Sequence, residues 1–205
     1  MTVSPVAPSS SLRERRRRET ARTIQLVTVR LGCAHGLDNV TIEMISAEAG
    51  ISPRTFFNYY AYKEQAVWCD PPEFDPDSVA AFAEGTGSFM ADLETLLVGH
   101  LSQLEPDRDL FAGIRTLAEQ NPKLLVLKET SLLALRVKLT DILQRRLHAE
   151  ETEIVQLCAL MVLDTVRLAI ERWSCGEAAS VAASVREMLQ RLRHGAALFR
   201  EDIGS

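Results

Sequence analysis

Apolar residues recur along most of this chain at three- and four-residue steps, the repeat that gathers them on one face of a helix. Ile24, Val27, Leu31 and Ala34 mark such a face in a first helix over residues 12–35. Its start reads Ser-Leu-Arg-Glu, so Ser11 can cap the helix while Glu14 reaches back to the cap's own N–H. Gly36 followed by Leu37 fits a helix stop with an apolar residue behind it. Two short helices follow, then a short piece, KEQAVWC, that ends at Asp70-Pro71-Pro72, where successive prolines remove backbone donors. Longer helices are predicted over 77–104, 109–119, 122–147, 150–174 and 178–200, with breaks at Glu105-Pro106, Asn121-Pro122, His148-Ala149 and Cys175-Gly176. Strand-like alternation appears over no useful length, so the predicted fold is all-α. The expected division is a flexible tail at 1–11, a first domain at 12–70 and a larger helical domain at 71–205.

Charge sharpens that division. The 205 residues sum to −5, which taken alone argues against a nucleic-acid partner. Residues 1–65, however, hold nine basic and six acidic side chains, +3, and the remaining 140 hold 14 and 22, −8. A basic head on an acidic body implies different partners, because a phosphate-binding surface needs only local positive potential. Cys33, Cys69, Cys158 and Cys175 form no C-x-x-C pair, which excludes a zinc knuckle or a redox motif. The four histidines lack metal-ligand spacing. No metal or cofactor is expected. The apolar runs stop well short of the roughly 18 residues a membrane span requires, and the N-terminus lacks a signal's apolar stretch. A cytoplasmic protein with no membrane partner is expected.

The candidate chemistry sits at 38–64, DNVTIEMISAEAGISPRTFFNYYAYKE. Thr41 is placed to cap a helix from Ile42 to Glu48 whose buried side is Ile42, Ile45 and Ala49. Gly50 supplies the freedom for a tight turn, and Ile51 plugs back toward the core. Ser52 caps a second helix with Pro53 at its first position, where the missing N–H costs nothing. Phe56 anchors that helix and leaves Arg54, Thr55 and Asn58 facing outward. This is the layout of a helix-turn-helix. A major groove admits one helix, whose first residues reach base edges. Arg54 can pair with a guanine edge, Thr55 with a base or a thymine methyl, and Asn58 with adenine. Thr41, Tyr59 and Lys63 are expected phosphate contacts, with Ser52 beside them at the cap. Arg15 to Arg18 would oppose a helix's positive dipole end, so local stability does not explain them, whereas a phosphate backbone does. Arg16 and Arg17 are therefore added to the candidate interface.

These residues closely resemble the helix-turn-helix signature of the TetR (tetracycline-repressor-like) transcriptional regulators. Thr41, Ile45, Ala49, Gly50, Ile51, Ser52, Thr55, Tyr59, Lys63 and Glu64 match that pattern. Ser46 replaces a usual Ala, Arg54 a frequent Gly, Phe57 a Tyr and Tyr60 a Phe. The resemblance covers about the first 70 residues. It implies a helical second domain with a small-molecule pocket and a dimer interface made from the last two helices.

The residues of the second half fit that implication. Val181, Val185, Met188, Leu192, Gly195 and Phe199 step by four and three, a seam suited to helix pairing. The helix predicted over 150–174 is apolar around most of its circumference, which calls for cover on two sides, one against its own subunit and one against a partner. Pocket candidates are Phe82, Phe89, Met90, Phe111, Met161 and Trp173, with His100, Arg115, Arg136 and Asp164 as polar groups in apolar helices. Asp164 and Arg167 are spaced to pair with each other. The expected function is a ligand-responsive transcriptional regulator, a homodimeric repressor on a double-stranded DNA operator, released by a small, mostly apolar inducer. It is not expected to be an enzyme. The alternatives are an all-α enzyme, which lacks a phosphate loop or a nucleophile-base motif here, and a ligand-free DNA-architectural protein, which predicts a solidly packed second domain.

Overall fold

A computed structural model describes residues 9–68, 73–147 and 152–201, with side chains described for 12–68, 73–147 and 152–198. The predicted break at Asp70-Pro71-Pro72, the His148-Ala149 break and most of the 1–11 tail lie outside the described residues. The described elements are all helical: α1 (Ser9–His35), α2 (Ile42–Glu48), α3 (Pro53–Phe57), α4 (Lys63–Val67), α5 (Pro76–Glu84), α6 (Phe89–Ser102), α7 (Arg108–Gln120), α8 (Pro122–Leu147), α9 (Thr152–Ser174) and α10 (Val181–Glu201). Short 3-10 turns occupy Leu37–Asn39 and Glu105–Asp107. No described helix is long and apolar enough to cross a membrane.

The single helix expected over 77–104 is two. Gly85-Thr86-Gly87-Ser88 interrupts it, and the backbone there answers to a distant partner: Arg146 donates to the carbonyls of Gly85 and Gly87 and to Asp92 at 2.8 Å. A Cβ on Gly85 would lie 2.7 Å from Asp92 Oδ2, so a side chain there would push aside the carboxylate that Arg146 holds. The stop of α9 is as expected from Cys175-Gly176. Gly176 has φ of +83°, its N–H meets the Trp173 carbonyl, and Glu177 N–H meets that of Arg172, closing the helix with two orphan carbonyls satisfied.

The described residues form two compact units. The first takes in residues up to 68 together with Gly113–Leu127, and the second takes in 73–112 and 128–201. Residues 113–127, which the sequence reading placed in the second domain, thus pack with the head. Two glycines explain how. A Cβ on Gly32 would come within 2.9 Å of Leu117 Cδ1, and one on Gly113 within 2.6 Å of Val29 Cγ1, so at each point a glycine of one helix makes room for a side chain of the other. Leu117 is buried there, and Ile114 and Leu124 of the same stretch are buried as well. The head's own centre is Ile24, Val27, Leu31, Val40, Ile45, Phe56, Tyr60 and Ala66.

The second unit is built on Leu93, Leu97, Leu143, Val155, Val166, Trp173, Val181 and Val185. Its polar ties run to backbone. Ser184 Oγ donates to the Ala169 carbonyl at 2.8 Å, and Arg108 Nε to that of Trp173 at 2.8 Å. Glu105 accepts from Val181 N–H at 2.9 Å and so satisfies an orphan donor at the start of α10.

Candidate nucleic-acid interface

The reading helix is short, and caps and one anchor make it rigid. Thr41 Oγ1 accepts from Met44 N–H at 3.2 Å, and Ser52 Oγ accepts from Thr55 N–H at 3.0 Å, so α2 and α3 both begin on the side chains the sequence nominated. Gly50 turns the chain with φ of +67°, and Ile51 N–H returns to the Ser46 carbonyl at 2.9 Å. Phe56 and Ile45 are each 0% exposed. Tyr60 reaches across to α1, its hydroxyl donating to the Ala21 carbonyl at 3.2 Å. A five-residue helix cannot hold itself together in water, so this tertiary clamp is what keeps it formed.

On that frame Arg54 and Asn58 are exposed, one helical turn apart on the same face. Thr55 is half-buried, and its hydroxyl lies 2.8 Å from that of Ser52, which ties it into the cap. Arg16 is exposed on α1, and the guanidinium of Arg17 sits over the Tyr59 ring at 5.4 Å from its centroid. That contact brings the arginine run, through Arg17, beside Tyr59, the candidate phosphate contact in the turn that follows α3. Because α1 begins at Ser9, Arg15 to Arg18 occupy its second and third turns rather than its first. Arg15 pairs with Glu19 at 3.1 Å, an exposed pair of small worth. Arg30 pairs with Glu48.

Lys63 differs from its expected place. Its ammonium donates to the carbonyls of Asp38 at 3.0 Å and Val40 at 2.8 Å, so it ties α4 to the Leu37–Asn39 turn. Backbone acceptors leave no sequence signal, which is why the residue reads as a phosphate ligand. The buried Gln25, which donates to the Val67 carbonyl at 3.1 Å, was missed for the same reason. Phe57, 56% exposed on α3, escaped for another reason, since the sequence does not say which of two adjacent phenylalanines is buried.

The candidates of the second half do not come together. Phe82 and Phe89 meet edge to face at 5.8 Å, Phe111 lies 5.9 Å from Trp173, and Met90 packs against the same core. His100 stacks on Phe74 at 3.8 Å, and burial holds its pKa down at about 4. Arg115 lies among the residues of the first unit and pairs with Glu119 at 2.9 Å. Arg136 is exposed, and Met161 and Asp164 lie on the outward side of α9, where Asp164 pairs with Arg167 at 3.0 Å as its spacing suggested. Arg136 and Asp164 line an open groove between α8 and α9, while Met161 and Asp164 line another, of about 670 Å³, between α9 and α10.

The expected dimer seam requires correction. Val181 and Val185 are 0% exposed and Met188 is buried too, all within the unit's own core, while Leu192 is half-buried against it. The side chain of Phe199 lies outside the described residues. The heptad spacing is real, yet it packs α10 inward. Apolar surface is left open on α9, where Ile154, Leu157, Leu160, Met161 and Leu168 stay exposed opposite the buried Val155, Ala159, Val162, Val166 and Trp173, and also on α8 at Leu133 and Val137.

The bacterial regulatory proteins, tetR family, match at residues 27–66, the stretch from mid-α1 through α4. A Mycobacterium tuberculosis protein that carries the name mycofactocin biosynthesis transcriptional regulator MftR is 41% identical over 63 residues, which is 31% of this chain and 32% of that protein. The matched stretch thus spans about a third of that relative's length. Among solved structures, a TetR-like transcriptional regulator from Rhodococcus sp. RHA1 aligns with a TM-score of 0.51 at 17% identity, covering 87% of this chain and 96% of its own. The fatty acid degradation regulator FadR from Bacillus halodurans aligns with a TM-score of 0.55 at 17% identity, covering 92% and 96%. These two likenesses extend the shared all-helical fold beyond the head. The helix-turn-helix of this chain is thus similar to that of the tetR family of bacterial regulatory proteins, over residues 27–66.

Proposed function

We propose that this protein is a DNA-binding transcriptional regulator, a homodimeric repressor that a small, mostly apolar molecule releases from a palindromic operator. The carrying observation is the clamped reading helix: Arg54 stands exposed on α3 and Asn58 at its C-terminal cap, while Phe56 is wholly buried beneath them and Ser52 caps its start. Arg54 suits a guanine edge and Asn58 an adenine edge, and the basic arm of α1 suits phosphates.

The outward stripe of α9 supports the dimer, in place of the α10 seam. Five large apolar side chains at helical spacing, each 38–60% exposed, form the kind of patch that a second copy covers. A two-fold pair of heads matches a site with two similar halves. Ligand control draws support from Trp173. The residue is 0% exposed, and its indole N–H has no hydrogen-bond partner among the described residues. A buried donor without an acceptor costs about 1–3 kcal/mol, which a molecule with an apolar body and one acceptor atom would recover. Such a molecule acts if it favours an arrangement in which the two heads no longer fit the operator.

The test is binding to duplexes from the gene's own upstream region across a salt series. Expected is sequence-dependent binding that weakens steeply with salt and falls with Arg54→Ala. Binding indifferent to sequence and to that substitution overturns the reading.

A further inference from the structure

We infer that Phe57 is a specificity-determining residue that reads the C5-methyl group of a thymine in the major groove. The inference rests on the DNA-binding reading above and names one base contact within it.

Phe57 follows the wholly buried Phe56 on α3, yet 56% of its own surface is exposed. It therefore does little for the core. Helical spacing puts it with the reading residues: successive side chains turn by about 100°, so Phe57 and Asn58 flank Arg54 on either side within roughly 60°. Its ring is held in place as well, meeting Phe56 edge to face at 5.8 Å with an interplanar angle of 88°. The chain thus presents a fixed phenyl group on the same face as a guanidinium and a carboxamide.

Each of the three matches a different feature of base edges. Arginine pairs with guanine O6 and N7, and asparagine with adenine N6 and N7. Thymine alone among the DNA bases offers an apolar methyl in the major groove, and phenylalanine is among the side chains suited to it. Phe57 carries no group able to hydrogen-bond a phosphate. What it can gain from DNA at this position is burial against that methyl.

The experiment begins with duplexes enriched from a randomised pool by the full-length protein. The best sequence is then resynthesised with deoxyuridine at each thymine in turn, a change that removes one methyl group and leaves pairing intact. Affinities of the wild type, Phe57→Ala and Phe57→Gln are measured by fluorescence anisotropy, with folding checked by circular dichroism. At one position of the half-site, uracil should weaken the wild type about fourfold, the worth of one buried methyl. The two variants should bind thymine and uracil there equally well, while both still lose affinity when the guanine facing Arg54 is changed. Wild-type indifference to every methyl, or the same thymine-to-uracil ratios in the variants, overturns the assignment while leaving DNA binding intact. A pool from which nothing is enriched overturns the DNA-binding reading and this inference with it.

Discussion

Lys63 offers the sharpest separation between folding and DNA binding in the head. Its ammonium donates to the carbonyls of Asp38 and Val40 at 3.0 and 2.8 Å. Lys63→Met keeps the aliphatic stem and removes both bonds. Hydrogen bonds to a charged group contribute about 1.5–3 kcal/mol each when buried. Here the lysine is half-exposed and the bond to Asp38 is at the surface, so that carbonyl finds water. The bond to Val40 is part-buried and retains most of its value. A total of about 2 kcal/mol follows, allowing for screening at a partly solvated site. Native-state hydrogen exchange reports it directly. The amides of Ile45 and Phe56, bonded to the carbonyls of Thr41 and Ser52, should exchange about thirtyfold faster if they open with the head. Operator affinity should fall by no more than the unfolded fraction explains. Unchanged protection with a large loss of DNA affinity would refute the structural role and restore Lys63 as a phosphate contact.

Three further outcomes follow from the packing. Gly113→Ala places a methyl 2.6 Å from Val29 Cγ1, and the resulting overpacking should cost about 1–3 kcal/mol in urea unfolding; adding Val29→Ala should recover much of it, and failure of that rescue argues against the glycine contact. Leu157→Glu, at a site 60% exposed on α9, should leave the monomer's fold intact while weakening self-association by about 100-fold, as sedimentation would show; an unchanged mass at micromolar concentration removes this stripe as the interface. Burial holds His100 at about 4, against the favourable charge of Glu73 and with the opposing charge of Lys138. The unfolded chain therefore takes up the proton first as pH falls from about 6.5 toward 4, and His100 should subtract about 1–2 kcal/mol over that window after discounting for its partial exposure. Urea midpoints at pH 7 and 4.5 should converge in His100→Asn, and an equal acid loss in both proteins refutes the assignment.

The helix-turn-helix was legible because its signals are local. Thr41, Gly50, Ser52 and Pro53 act on backbone groups within three or four residues of themselves, and the structure uses Thr41 and Ser52 as the caps their positions suggest. Phe56 could be named as an anchor because its apolar character sits where the turn must be pinned. The same local logic located most helix ends, and it placed Asp164 one turn from Arg167, which it joins at 3.0 Å.

What needed three dimensions was every choice between two faces of one helix. The seam of Val181, Val185 and Met188 has the spacing of an interface and is a core, because periodicity states that a face is covered and is silent about which neighbour covers it. Phe57 beside Phe56 is the same problem at a single turn, since two adjacent phenylalanines look alike in sequence while only one is buried. Lys63 turned to backbone carbonyls, which every residue carries and none advertises. Residues 113–127 joined the head because two glycines far apart in the chain, Gly32 and Gly113, let helices approach where any Cβ would collide. Caps and turns are written within a few residues of where they act, whereas burial, orientation and long-range contact depend on a partner that folding alone brings near.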